Sequence, residues 1–129
     1  MVLQAISSRL LVQADPQATL SWYRDDDVLQ PGDLAVWIDR AGQLVRFSLA
    51  YTPDVLADEL FAAWENGRSV RTGVVEREQR ARLGHPRSRL IRRRSLATSE
   101  LAILRGYLAA NASVAPAAPE VISILDSVT

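Results

Sequence analysis

The chain of 129 residues contains no cysteine and no lysine, one histidine and one methionine. Without cysteine there is no disulfide, no thiolate nucleophile and no cysteine-ligated metal centre, and nothing marks an oxidising compartment. His85 stands alone between Gly84 and Pro86, so a zinc site would need mostly carboxylates, an uncommon ligand set. No metal and no cofactor are expected. No apolar run approaches the roughly 18 residues that a membrane span requires. The N-terminal MVLQAISSRLLVQADPQ lacks the basic start and long apolar stretch of a signal peptide. A cytoplasmic protein without membrane contact is the expectation. Also missing are G-x-S-x-G, the P-loop, G-x-G-x-x-G and H-E-x-x-H, whose spacings place nucleophiles, phosphates and zinc. No catalytic residue is assigned.

The absence of lysine leaves arginine as all 15 basic residues. Arginine is the better fork for carboxylate or phosphate, although a GC-rich bacterial genome explains a lysine-free chain more simply. Hydrophobic content of 48% and charged content of 23% are near globular averages, which excludes global disorder. This length suits one domain, residues 1–129, burying roughly two thirds of its unfolded surface. The formal net charge of zero hides a segregation. Residues 1–66 carry 4 arginines and 10 acids, residues 67–94 carry 10 arginines and 2 acids, and residues 95–129 carry 1 arginine and 3 acids. Such asymmetry speaks to association, within the chain or with a partner.

The strongest structural signal is Asp33–Tyr51. Leu34–Ile38 is apolar throughout, and Leu44–Tyr51 alternates, with Val45, Phe47, Leu49 and Tyr51 on one face and Arg46 and Ser48 on the other. Two such runs around Asp39–Gln43 predict a β-hairpin. Ala18–Arg24 predicts a third strand, with Leu20 and Trp22 on one face. Residues 1–14 read as a short helix or, over Arg9–Ala14, as a strand turning at Asp15-Pro16. Pro53–Glu65 fits a helix capped by Thr52, with Leu56, Leu60 and Ala63 stacked, and Asn66-Gly67 as its end. A rival remains open, because Asn-Gly is also a strong hairpin turn, pairing Leu60–Glu65 with Arg68–Val75. Ser69–Val75 reads as a strand interrupted at Gly73, and residues 76–83 as a short charged helix. Residues 84–95 read as a basic exposed loop or arm. Ser99–Asn111 predicts a helix capped by Thr98 or Ser99, residues 112–118 a linker, and Pro119–Val128 a final helix. The fold class is α+β: a mostly antiparallel sheet of four to six strands, a meander around residues 18–51, packed by two to four helices.

Three groups are candidates for binding. Arg87, Arg89, Arg92, Arg93 and Arg94 fall within eight residues and suit an anion or an acidic partner. Against nucleic acid stand the lack of neighbouring aromatics and a pI near 6.6. Trp37 faces either a second core layer or an exposed patch that marks an interface. Ile122 and Leu125 belong to a helix too short to stand alone, which must dock on this domain or a second copy. Asp25-Asp26-Asp27 reads as a solvated turn, since adjacent carboxylates diverge on an extended chain. The expected function is a non-enzymatic protein-interaction or regulatory module that self-associates as a homo-oligomer. The alternatives are nucleic-acid or other anion binding through Arg87–Arg94, and a small-ligand or enzyme site between sheet and helices using Arg46, Arg71, Tyr23 or His85.

Overall fold

A computed structural model of the chain describes residues 3–5, 17–25, 27, 29–54, 56–75 and 91–128. The strands are β1 (Gln4–Ala5), β2 (Ala18–Asp25), β3 (Gly32–Asp39), β4 (Leu44–Tyr51), β5 (Glu59–Glu65), β6 (Arg71–Val75) and β7 (Ile91–Arg93). The helices are α1 (Thr98–Ala110) and α2 (Ala118–Asp126). All seven described strands pair antiparallel in sequence order, so the predicted meander extends to one strand beyond the predicted maximum. No helix among the described residues is long and apolar enough to cross a membrane.

The hairpin forms because strand propensity and turn chemistry agree. The Asp39 carboxylate accepts the backbone N–H groups of Ala41 and Gln43, holding the turn between β3 and β4. One face is reassigned. Trp37 pairs with Arg46 while Ile38 pairs with Leu44, so Val45 is an extra residue, a β-bulge. The bulge lets Leu44 and Phe47 both enter the main core, although strict alternation would separate them. Val45 instead packs against the cluster of Leu20, Trp22, Ala35 and Trp37 on the other face.

The expected helix over 53–65 is not present. Glu59–Glu65 is strand β5, and Asn66-Gly67 is the turn into β6, with Gly67 at φ +84° and Arg68 N–H donating to Glu65 O at 3.0 Å. A left-handed φ favours glycine in a hairpin turn as much as at a helix end. Pairing decides: Leu60, Ala62 and Trp64 lie opposite Tyr51, Leu49 and Phe47, continuing the core face across the sheet. Leu56, assigned to the helix face, is 81% exposed.

The two helices cover one face of the sheet, as expected. Leu104 and Leu108 of α1 and Val121 and Leu125 of α2 join Leu34, Val36, Phe47, Leu49 and Val74 in one buried cluster. Residues 111–117 connect the helices through turns, with Ala115 buried. Buried Asn111 accepts Leu3 N–H at 3.0 Å and donates to Tyr107 O at 2.8 Å, tying the chain beside β1 to the end of α1. The predicted cap is replaced. Ala97 occupies the N-cap, where a methyl group caps nothing, and the Glu100 carboxylate accepts Ala97 N–H at 2.8 Å instead.

Arg94 makes two 2.8 Å hydrogen bonds to Glu100, and this contact with the Ala97 N–H lowers the Glu100 carboxyl to about 2. A lowered carboxyl contributes stability that is complete above its unfolded value near 4.5 and is lost as pH falls toward about 2. The Arg94 side chain is 36% exposed, so solvent screening holds the contribution to about 1 kcal/mol or less. Glu100→Gln should flatten the acid limb of a stability profile measured by urea unfolding over that window, with little change at neutral pH beyond this amount.

Candidate anion-binding groove

Strand alternation sends every second side chain to the face away from the helices. On β3 these are Asp33, Ala35 and Trp37, and across the pairing follow Arg46 and Ser48 of β4, Phe61 and Ala63 of β5, Arg71 of β6 and Arg93 of β7. Trp37, Arg46, Ser48, Phe61, Ala63, Arg71, Ile91 and Arg93 line a groove of about 440 Å³ on this face. A shallower depression continues past Arg71 and Arg93 to Ser69, Arg94 and Ser95.

Each arginine is placed by a different local cause. The Arg46 guanidinium lies 4.7 Å from the Trp37 ring centroid, a cation–π contact with a ring only 3% exposed. Glu65 is its cross-strand neighbour, and that carboxylate also lies 3.7 Å from Arg68. Arg71 follows the Asn66-Gly67 turn and is exposed. Arg93 is brought over the groove by β7, which runs so close to β6 that a Cβ on Gly73 would meet Arg92 O at 2.4 Å. Only glycine permits that approach.

Among the described residues, Arg71 and Arg93 have no carboxylate partner. The described lining contains three arginines and no acid. Asp33 and Glu59, the buried acids of this face, lie outside it. Ser48 is 8% exposed, and its Oγ has no hydrogen-bond partner. Guanidinium forks without a competing acid in the described lining are suited to an oxyanion.

The chain matches no family model, no curated protein and no solved structure. The site therefore rests on its own geometry. Of the three clustered arginines among the described residues, only Arg93 lines the groove; Arg92 projects from the opposite face of β7, and Arg94 faces Glu100. Arg87, Arg89 and His85 lie outside the described residues, as do the expected elements at 9–14 and 76–83 and Asp26. The expected loop or arm over 84–95 is a strand at Ile91–Arg93. Trp37 is buried in a second core layer and is not an exposed patch. Leu125 is fully buried in the main core and Ile122 packs against it. Tyr23 packs toward the helices. Arg46 and Arg71 do share a pocket, but on the face opposite the helices and not between sheet and helices. Clustering in sequence misses this set, because its members are separated by 25 and 22 residues and meet only through sheet pairing.

Proposed function

We propose that the chain is a non-enzymatic binding module that takes an anionic ligand on the helix-free face of its sheet, through Arg46, Arg71 and Arg93. The described lining carries the reading: among the described residues it has three guanidinium groups and no acid, and two of the three have no carboxylate partner. An unpaired guanidinium at a groove rim is ready to make two parallel bonds to a phosphate or carboxylate. A cytoplasmic location without membrane contact belongs to the same reading. Titration calorimetry of the full chain with tripolyphosphate at low and high salt tests it. Binding at low salt that weakens as salt rises is expected; absence of binding at low salt rejects tripolyphosphate as a ligand and counts against the site.

Self-association as a homo-oligomer is a second reading, favoured by a separate observation. Leu29 and Leu56, 61% and 81% exposed, lie on the β2–β3 and β4–β5 connections. Gln30 Nε2 donates to Pro53 O at 2.7 Å and ties the two connections together. Asp27, Asp54 and Asp58 stand beside them, at the end of the sheet opposite the turn that precedes Arg71. An acidic, apolar end and an arginine-bearing end on one molecule are complementary between copies. Light scattering after size exclusion should then find oligomers that dissociate at high salt; a monomer at all concentrations and salts dismisses this reading.

A further inference from the structure

We infer that the ligand of the groove is a small amphipathic oxyanion, a phosphate or carboxylate head joined to a compact apolar body. This rests on the anion-binding reading and extends it to the other end of the ligand. The head is selected by Arg71 and Arg93, whose charges lie at the rim. Inside the groove the chemistry changes. Phe61 and Ile91 are half-buried and offer apolar surface. Gly73, opposite Phe61 on β6, adds no side chain over the ring. A ligand that is only charge would leave this surface wet, and one with an apolar body covers it.

Ser48 lies on the floor of the groove. It sits between Ala35 and Ala63 in the pairing, so its neighbours on both strands are small. Its Oγ is buried without a partner. Ser48 and its two alanine neighbours therefore give the groove a small-residue floor with room above it for a compact apolar body. A volume of about 440 Å³ lies within the range of small-molecule sites. Single-stranded nucleic acid is the poorer fit, because it needs aromatic platforms for successive bases. Trp37 is only 3% exposed and covered by Arg46, leaving Phe61 as the accessible ring of the described lining.

The test compares inorganic phosphate, phenyl phosphate, benzoate and an oligothymidylate in titrations of the full chain. Phenyl phosphate should bind about tenfold tighter than inorganic phosphate, the gain from removing on the order of 50–60 Å² of apolar surface from water. Benzoate binding alongside it extends the head to carboxylates; benzoate failing restricts the head to phosphate, and either supports an amphipathic oxyanion. Phe61→Ala should bring phenyl phosphate down to the affinity of inorganic phosphate; the wild-type comparison stands by itself should that variant not fold. Equal affinities for inorganic and phenyl phosphate overturn the inference. So does binding of the oligothymidylate with none of phenyl phosphate. In both cases retained tripolyphosphate binding leaves the anion-binding reading standing. If none of these anions binds, both fall.

Discussion

Tyr107→Ala is expected to destabilise the chain by about 3–5 kcal/mol, a large part of the roughly 5–15 kcal/mol that holds a domain of this kind together. The ring is buried and lies parallel to Tyr51, with centroids 3.9 Å apart and planes 14° apart. It fills the space above Gly32, where an added Cβ would meet the Tyr107 hydroxyl at 2.6 Å. Removing it opens a cavity bounded by α1, β3 and β4 at once. The hydroxyl contributes less than the ring, because it donates to Asp25 Oδ2 at a long 3.3 Å. Tyr107→Phe should therefore cost about 1 kcal/mol. The two variants separate packing from hydrogen bonding in a urea titration at neutral pH. Alkaline pH provides an independent check. Burial first, and then the nearby Asp25 carboxylate, push the Tyr107 hydroxyl far above its ordinary range and raise that of Tyr51. A raised phenol contributes stability that is complete below its unfolded value near 10 and is lost as pH rises through its folded value. Stability should fall above about pH 10, and Tyr107→Phe should fall less steeply there than the wild type.

Most of the sheet was legible because its residues agree at several levels. Ala18–Arg24, the β3–β4 hairpin and both C-terminal helices have periodicity, turn residues and end signals that point one way. Residues 59–65 do not. ELFAAWE satisfies a period of 2 and nearly satisfies 3.6, and Asn66-Gly67 ends either element, so only the neighbour decides. Phe47, Leu49 and Tyr51 of β4 supply that neighbour, and tertiary pairing overrides local preference. The bulge at Val45 was illegible for a related reason: the sequence shows alternation, while the displacement of one residue comes from the register with β3. The groove was only half legible. Arg46 and Arg71 could be singled out as pocket candidates, but their common face depends on β5 being a strand. With residues 53–65 read as a helix, β4 and β6 lose the strand between them and the two guanidinium groups have no reason to meet. The arginine cluster also contains Arg92, which alternates with Arg93 along β7 and so leaves the groove, and Arg94, which follows β7 and is held by Glu100.

Combining Arg71→Ala with Arg93→Ala should reduce tripolyphosphate affinity by on the order of a hundredfold or more, while each single change reduces it about tenfold or more. A hydrogen bond to a charged group contributes roughly 1.5–3 kcal/mol, and about 1.4 kcal/mol is tenfold in affinity. Both side chains are exposed and have no carboxylate partner among the described residues, so their removal should shift stability by no more than about 0.5 kcal/mol. That contrast is what distinguishes a binding pair from a structural one. Arg94→Ala supplies the opposite pattern, since Arg94 is held by Glu100: some stability is lost, concentrated above the acid range, and affinity stays nearly constant. Arg71→Lys keeps the charge and removes the fork; a loss almost as large as that of Arg71→Ala argues for bidentate bonding, and a small loss argues for a field effect alone. If the affinity of the double variant equals that of the wild type, the anion sits elsewhere, and Arg71 and Arg93 are solvated charges that share a surface by the accident of strand register.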